Sequence, residues 1–202
     1  MDRVMTQGKT TAAGDGNEHR RRLLEGMGLA VAEKGYAEVT IADIVAAAGV
    51  SRRTFYEHFK TKAQCLIALY SAASSNALEV LRDAIDPTSG WETQVERAIS
   101  AYFGCLGQYP VLLRTLFIEI LGLGVEGLAA RRRVNQKLAD FMLHVINVPA
   151  RARKHKPPLQ PEIAMAVVGG INELVLEAIE RNRTDCLQEL VSPSLQLLRA
   201  VT

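Results

Sequence analysis

Residues Thr40 to Lys62 read TIADIVAAAGVSRRTFYEHFKTK, and this stretch decides the fold because three helix starts fall inside it. Thr40-Ile41-Ala42-Asp43 has capping-box spacing: the Thr40 hydroxyl can accept from the Asp43 amide while the Asp43 carboxylate reaches back to Thr40. Val39 and Ile44 flank the box at hydrophobic-staple positions. Gly49 follows the Ala-rich segment, where a left-handed residue ends a helix. Ser51 then offers a second N-cap, with Val50 and Phe55 at staple spacing. Thr61-Lys62-Ala63-Gln64 is a third cap and opens the next helix. Two short helices joined by a sharp glycine turn make a helix-turn-helix.

The second helix, roughly Ser51 to Phe59, has an unusual surface. Phe55 and Phe59 are four apart and face inward together. Arg52, Arg53, Thr54, Tyr56, Glu57 and His58 are left for the other faces. Two guanidiniums at a helix start oppose the macrodipole. That cost makes sense where the helix tip meets a polyanion, whose phosphates accept both the charge and the free amides. An Arg pair alone reads as a solvated face. Cap, glycine turn, second cap, Arg-Arg, Tyr and a third cap carrying Lys60 and Lys62 together point to a DNA-reading helix. The charge distribution agrees. The 202-residue chain has 24 Lys+Arg against 22 Asp+Glu, a net charge of +2. Arg52, Arg53, Lys60 and Lys62 exceed Asp43 and Glu57 by the same amount within this one stretch. A local excess of that kind is the footprint expected on phosphates.

Ala46, Gly49, Val50, Ser51, Thr54, Phe55, Tyr56, His58, Phe59 and Lys62 spell A-x-x-G-V-S-x-x-T-F-Y-x-H-F-x-x-K. With the helix before it, this segment resembles the DNA-binding domain of the tetracycline-repressor (TetR) family. The detailed resemblance covers about residues 18–66; the remainder is similar to that family in length and all-helical pattern only. Arg53 departs from the small residue that many members carry there, which bears on operator preference and leaves the fold alone.

Composition bounds the rest. Hydrophobic residues make up 48% of the chain, enough for a buried core, and charged residues 23%, ordinary for a globular protein. The length fits one large or two small domains. Cys65, Cys105 and Cys186 are widely spaced and form no C-x-x-C pair, so they read as buried free thiols; a redox sensor is the alternative. No cofactor and no metal site is expected. The N-terminus lacks an apolar signal core, and no run approaches the roughly 18 apolar residues of a membrane span. A cytoplasmic location without a membrane partner is the expectation.

In chain order, residues 1–17 are expected to be a flexible tail, from which Arg3 and Lys9 could brush a minor groove. Helix 1 runs from about Glu18 to Lys34, with Arg20, Arg21 and Arg22 at its start, either near phosphate or solvated. A long helix from Thr61 to about Ile85 has Leu66, Leu69, Tyr70, Ala73, Ala77, Val80 and Leu81 as its stripe. It enters the second half directly and so reads as a lever. Ser89-Gly90-Trp91-Glu92 has capping-box spacing before a helix to about Tyr109. Val111 to about Leu121 is apolar on nearly every side and is expected to be central. A longer helix spans about Val125 to Val148, where Pro149 ends or kinks it. Residues 151–161 (RARKHKPPLQP) read as an exposed basic loop, or as a second nucleic-acid contact. The last two helices run from about Glu162 to Asn182 and from about Asp185 to Val201, the second kinked at Pro193.

The all-α fold expected is a three-helix DNA-binding domain over residues 18–66 and a larger helical domain over 67–202. The resemblance implies that the latter binds an effector and dimerises. Thr40, Ser51, Arg52, Arg53, Thr54, Tyr56, His58, Lys60 and Lys62 are the DNA-contact candidates. Arg52 and Arg53 suit guanine edges, Thr54 a thymine methyl or a phosphate, and the others phosphates. Tyr102, Phe103, Arg114, Phe117, Glu119 and Phe141 are the pocket candidates for a small apolar ligand; their alternative is an ordinary core. Val167, Gly170, Ile171, Leu174, Leu187, Leu190, Val191, Ser194 and Leu198 are candidates for a homodimeric four-helix bundle, unless both helices bury those faces within one chain. The function implied is a homodimeric repressor on a palindromic double-stranded DNA operator. A structural DNA binder without ligand control is the alternative. An enzyme finds no support in H-E-x-x-H, G-x-S-x-G, P-loop or dinucleotide motifs.

Overall fold

The computed structural model describes residues 10–150 and 158–202. Every regular element among the described residues is helical. The chain divides into two compact units, Met1–Tyr70 and Ser71–Thr202.

In the first unit, α1 (Thr10–Lys34) packs along α2 (Ile41–Ala48), and α3 (Arg52–His58) closes a three-helix core. Leu23, Met27, Ile44, Phe55 and Leu66 are fully buried there. Each contributes about 1.5–3 kcal/mol of apolar burial. The close approach of α1 and α2 depends on Gly26: a Cβ at that position would lie 2.6 Å from the Ile44 carbonyl oxygen and 2.8 Å from the Ala48 amide. Gly35 ends α1 with φ 74°. The flexible tail expected over residues 1–17 is corrected for its second half, because α1 already runs from Thr10. Ala12 and Ala13 are good helix formers, and extending a formed helix gains one hydrogen bond per residue fixed. Arg3 and Lys9 lie outside the described residues.

α4 (Lys62–Asp83) starts in the first unit and continues in the second. There follow α5 (Trp91–Gly107), α6 (Pro110–Arg114), a π-helical turn (Thr115–Glu119), α7 (Ile120–Gly122), α8 (Gly124–Ala150), α9 (Pro161–Glu180), a 3₁₀ segment (Thr184–Leu190) and α10 (Val191–Val201). α9 packs against α8, the 3₁₀ segment and α10, and α5 packs against the latter two. Val95, Ile99, Phe103, Val175, Ile179 and Leu187 form the principal core. No single helix among the described residues is long and apolar enough to cross a membrane.

Several expectations for this unit are corrected. Gly90, not Ser89, is the N-cap of α5, and it has no side chain to give. The Ser89 hydroxyl instead donates to Asp86 Oδ2 at 2.7 Å, and the Gln94 amide donates to the Ser89 carbonyl at 2.7 Å. The segment 111–121 is not central throughout. Leu113, Leu116 and Ile120 are buried, while Val111, Ile118 and Leu121 are exposed. Leu113, Leu116 and Ile120 stand at i, i+3 and i+7, one stripe of a helix, so only that face is buried although the segment is apolar all round. The final helix breaks at Leu190 instead of kinking at Pro193. Pro193 falls in the first turn of α10, where its missing N–H leaves no bond unmade. Left-handed Asn182 (φ 54°) lies just past the end of α9. Of the basic loop 151–161, residues 151–157 lie outside the described residues.

Candidate nucleic-acid interface and ligand cavity

The helix-turn-helix is built by its caps. Thr40 Oγ1 accepts from the Asp43 amide at 3.3 Å, and Asp43 Oδ2 accepts from the Thr40 amide at 2.9 Å and its hydroxyl at 2.7 Å. Lys34 Nζ donates to Asp43 Oδ1 at 2.6 Å. The Lys34 bond first, then the two from Thr40, hold the Asp43 carboxyl well below the usual carboxylate range. Gly49 at φ 60° and ψ 41° ends α2, with its amide on the Ala46 carbonyl and that of Val50 on the Val45 carbonyl. Ser51 Oγ accepts from the Thr54 amide at 3.0 Å and pairs with the Thr54 hydroxyl at 2.9 Å.

Behind this frame, the Phe55 and Phe59 rings lie 5.8 Å apart, and the Arg20 guanidinium sits 5.7 Å from the Phe59 centroid. In front, Ser51, Arg52, Arg53, Tyr56 and Lys60 are exposed, with Thr54 and His58 half-buried. α3 therefore holds its aromatic pair inside and projects two guanidiniums and a phenol outward. Arg53 Nε contacts Glu57 Oε1 at 3.2 Å with its side chain 89% exposed. Such a pair is worth about 0–1 kcal/mol, so Arg53 can leave it at little cost.

Lys62 does something other than expected. Its ammonium donates to the carbonyls of Tyr36, Ala37 and Val39 at 3.0, 3.2 and 2.8 Å and lies 4.6 Å from the Tyr36 ring centroid. An ammonium has three donors, and all are taken. The assignment of Lys62 to a phosphate is corrected: it ties the α1–α2 loop to the start of α4. Sequence reasoning also missed Arg22, which donates to the Gly49 carbonyl at 2.8 Å and so braces the turn itself. Arg21 is engaged by Glu18 and Glu25.

The second unit contains a cavity of about 90 Å³ between α4, α5, α8, α9 and α10. Leu81, Trp91, Ile99, Phe141, Met142 and Ile171 are among its walls. Asn172, buried on α9, is its one amide, and it donates to Asn135 Oδ1 at 3.0 Å. Of the expected pocket residues, Tyr102 and Phe141 line the cavity. Phe103 is fully buried in the core beside it and Phe117 packs on that core. Arg114 is exposed and Glu119 half-buried, and neither lines the cavity. The aliphatic walls on α4 and α8 were missed because their apolar stripes are indistinguishable from core in sequence.

The expected dimer residues are also largely spent within the chain. Val167, Leu187, Ser194 and Leu198 are buried, and Ile171 and Leu198 line the cavity. Gly170 faces Leu197, whose Cδ2 would lie 3.1 Å from an added Cβ. Leu174, Leu190 and Val191 are half-buried. α9 turns Glu162, Ile163, Ala166, Glu173 and Glu177 outward instead.

Burial pushes the Cys65 thiol up to about 12, and its sulfur lies 3.8 Å from the Leu23 carbonyl oxygen. It is a core residue of the first unit.

Residues 30–69, which carry this frame, match the family model described as bacterial regulatory proteins, tetR family. The helix-turn-helix segment is thus similar to that of the tetR family. Among curated proteins, a fatty acid metabolism regulator protein of Bacillus subtilis is 24% identical over 173 residues, covering 83% of this chain and 87% of that one. The HTH-type transcriptional regulator EthR of Mycolicibacterium smegmatis is 25% identical over 109 residues, covering 54% of this chain and 50% of that one. This chain therefore matches half the length of that relative. Among solved structures, FadR of Bacillus subtilis in complex with stearoyl-CoA aligns with a TM-score of 0.75 at 20% identity, over 88% of this chain and 96% of that one. The fold is thus that of tetR-family regulators over most of its length.

Proposed function

We propose that this chain is a homodimeric repressor of the tetR family, acting in the cytoplasm, that holds a palindromic operator until an apolar ligand fills the second unit. The observation that carries the reading is the pairing, in one chain, of a braced α3 with outward Arg52, Arg53 and Tyr56 and an apolar cavity. Arg52 and Arg53 read guanine edges, where a guanidinium fits bidentately. Thr40, Ser51, Thr54, Tyr56, His58 and Lys60 line up on phosphates and fix register. The outward faces of α9 and α10 form the dimer contact, since their inner faces are spent on the core. No catalytic role is assigned.

The cavity separates this from a structural DNA binder without ligand control. An empty apolar void costs about 24 cal/mol per Å³, so about 90 Å³ left unfilled costs on the order of 2 kcal/mol. A ligand that recovers this cost in one conformer shifts the population toward it. That a fold neighbour was crystallised with stearoyl-CoA supports an acyl chain as the occupant. The test is operator release. Lauroyl-CoA or dodecan-1-ol added to the protein–operator complex should lower affinity at least tenfold. Unchanged affinity across apolar ligands of every chain length would leave the cavity without a regulatory role.

A further inference from the structure

α3 carries a single acid, Glu57, on an outward surface otherwise made of Arg52, Arg53 and Tyr56. Helix stability does not account for it. Arg53 stands second in α3 and Glu57 second from its end, so each charge opposes the macrodipole at its own terminus. For a pair four residues apart, base before acid is also the weaker order. Toward a polyanion Glu57 costs more again, because a carboxylate among arginines repels phosphate.

What Glu57 does follows from the atom it holds. Its Oε1 lies 3.2 Å from Arg53 Nε. One of the five guanidinium N–H donors is thereby engaged, and the four on the terminal nitrogens are left free. Arg53 need not leave Glu57 to use that fork, so the bond can be as weak as an exposed pair usually is. The carboxylate cancels the charge of the guanidinium but not its directed donors. A phosphate gains little from a pair without net charge and is repelled by the acid beside it. A neutral guanine edge meets two donors in the geometry it requires. Resting on the DNA-reading role of α3 proposed above, we infer that Glu57 is a specificity-determining residue that acts through Arg53. It steers that guanidinium away from phosphates and onto a base.

The test compares the wild type, Glu57→Gln, Arg53→Ala and the double variant. Gln keeps the length and an acceptor but not the charge, and the position is exposed, so the core is spared. Each full chain is titrated at several salt concentrations against two labelled duplexes: one that the wild type enriches from a random pool, and its scrambled sequence. Glu57→Gln is expected to bind the scrambled duplex more tightly. Its salt slope there should steepen by up to about 0.9 for each arginine released onto a phosphate. The ratio of the two affinities should fall at least about threefold, within what an exposed ion pair can supply. In the Arg53→Ala background the same change should leave that ratio where it was. A rise by one factor on both duplexes would overturn the inference, since loss of a repelling charge alone does that. An equal fall of the ratio in both backgrounds would overturn the route through Arg53. A wild type that prefers no duplex to its scrambled form would instead refute the DNA-reading role itself, and this inference with it.

Discussion

Replacing Lys62 with Met distinguishes a brace from a phosphate contact. Met keeps most of the apolar stem and deletes the ammonium with its three carbonyl bonds and its contact with Tyr36. A hydrogen bond to a charged group contributes about 1.5–3 kcal/mol, but these three are not additive. The carbonyls are only part-buried and water can reach them, and the freed side chain regains up to about 2 kcal/mol of rotamer entropy. The expected net loss is about 2–3 kcal/mol, confined to the first unit. Amide exchange would read it as faster opening of residues 36–48. The same variant, titrated against an operator at several salt concentrations, should keep the slope of log K on log salt. Were Lys62 on a phosphate, the slope would shrink by about 0.9 with local stability unchanged, and that pair of results would refute the brace.

Further expectations follow from other residues. Arg52→Ala or Arg53→Ala should lose about 1–3 kcal/mol on the operator and relax preference at one base pair; an equal loss on random DNA would reassign that arginine to phosphate. Gly26→Val drives side-chain atoms into the backbone of Ile44 and Ala48, and overpacking of that kind should cost at least about 1–3 kcal/mol in thermal unfolding. Asp43 has its folded pKa depressed by Lys34 and Thr40. Its contribution is therefore present above the unfolded value of about 3.9 and is lost as pH falls through and below it. Asp43→Asn should flatten that acid limb of the stability curve, and an identical limb in both proteins would contradict the linkage.

The helix-turn-helix was legible because its signals are local. Thr40, Asp43, Gly49 and Ser51 act on backbone groups within four residues, so spacing alone locates them. Arg22 and Lys62 were misread because their partners lie across the fold, at Gly49 and at residues 36–39. A basic side chain near a DNA-reading helix looks the same in sequence whether it meets a phosphate or a carbonyl. The second unit was harder for a related reason. Apolar periodicity shows that Ile171 and Leu198 are buried without saying whether they face a partner chain, a core or a void. The π turn at Thr115–Glu119 has no sequence signature of its own. Asn172, a buried amide in the stretch GGINELVL, was the clearest unused pointer to the cavity.

The central claim is that two copies of α3 read DNA as a symmetric pair. Selection of binding sites from a pool of random duplexes, with the full chain at moderate salt, tests it with no operator sequence assumed. The account expects an enriched motif with two-fold symmetry, its half-sites spaced about one helical turn apart or a multiple of it, that is abolished in the Arg52→Ala/Arg53→Ala double variant. A pool that stays random, or a motif without symmetry, would contradict it.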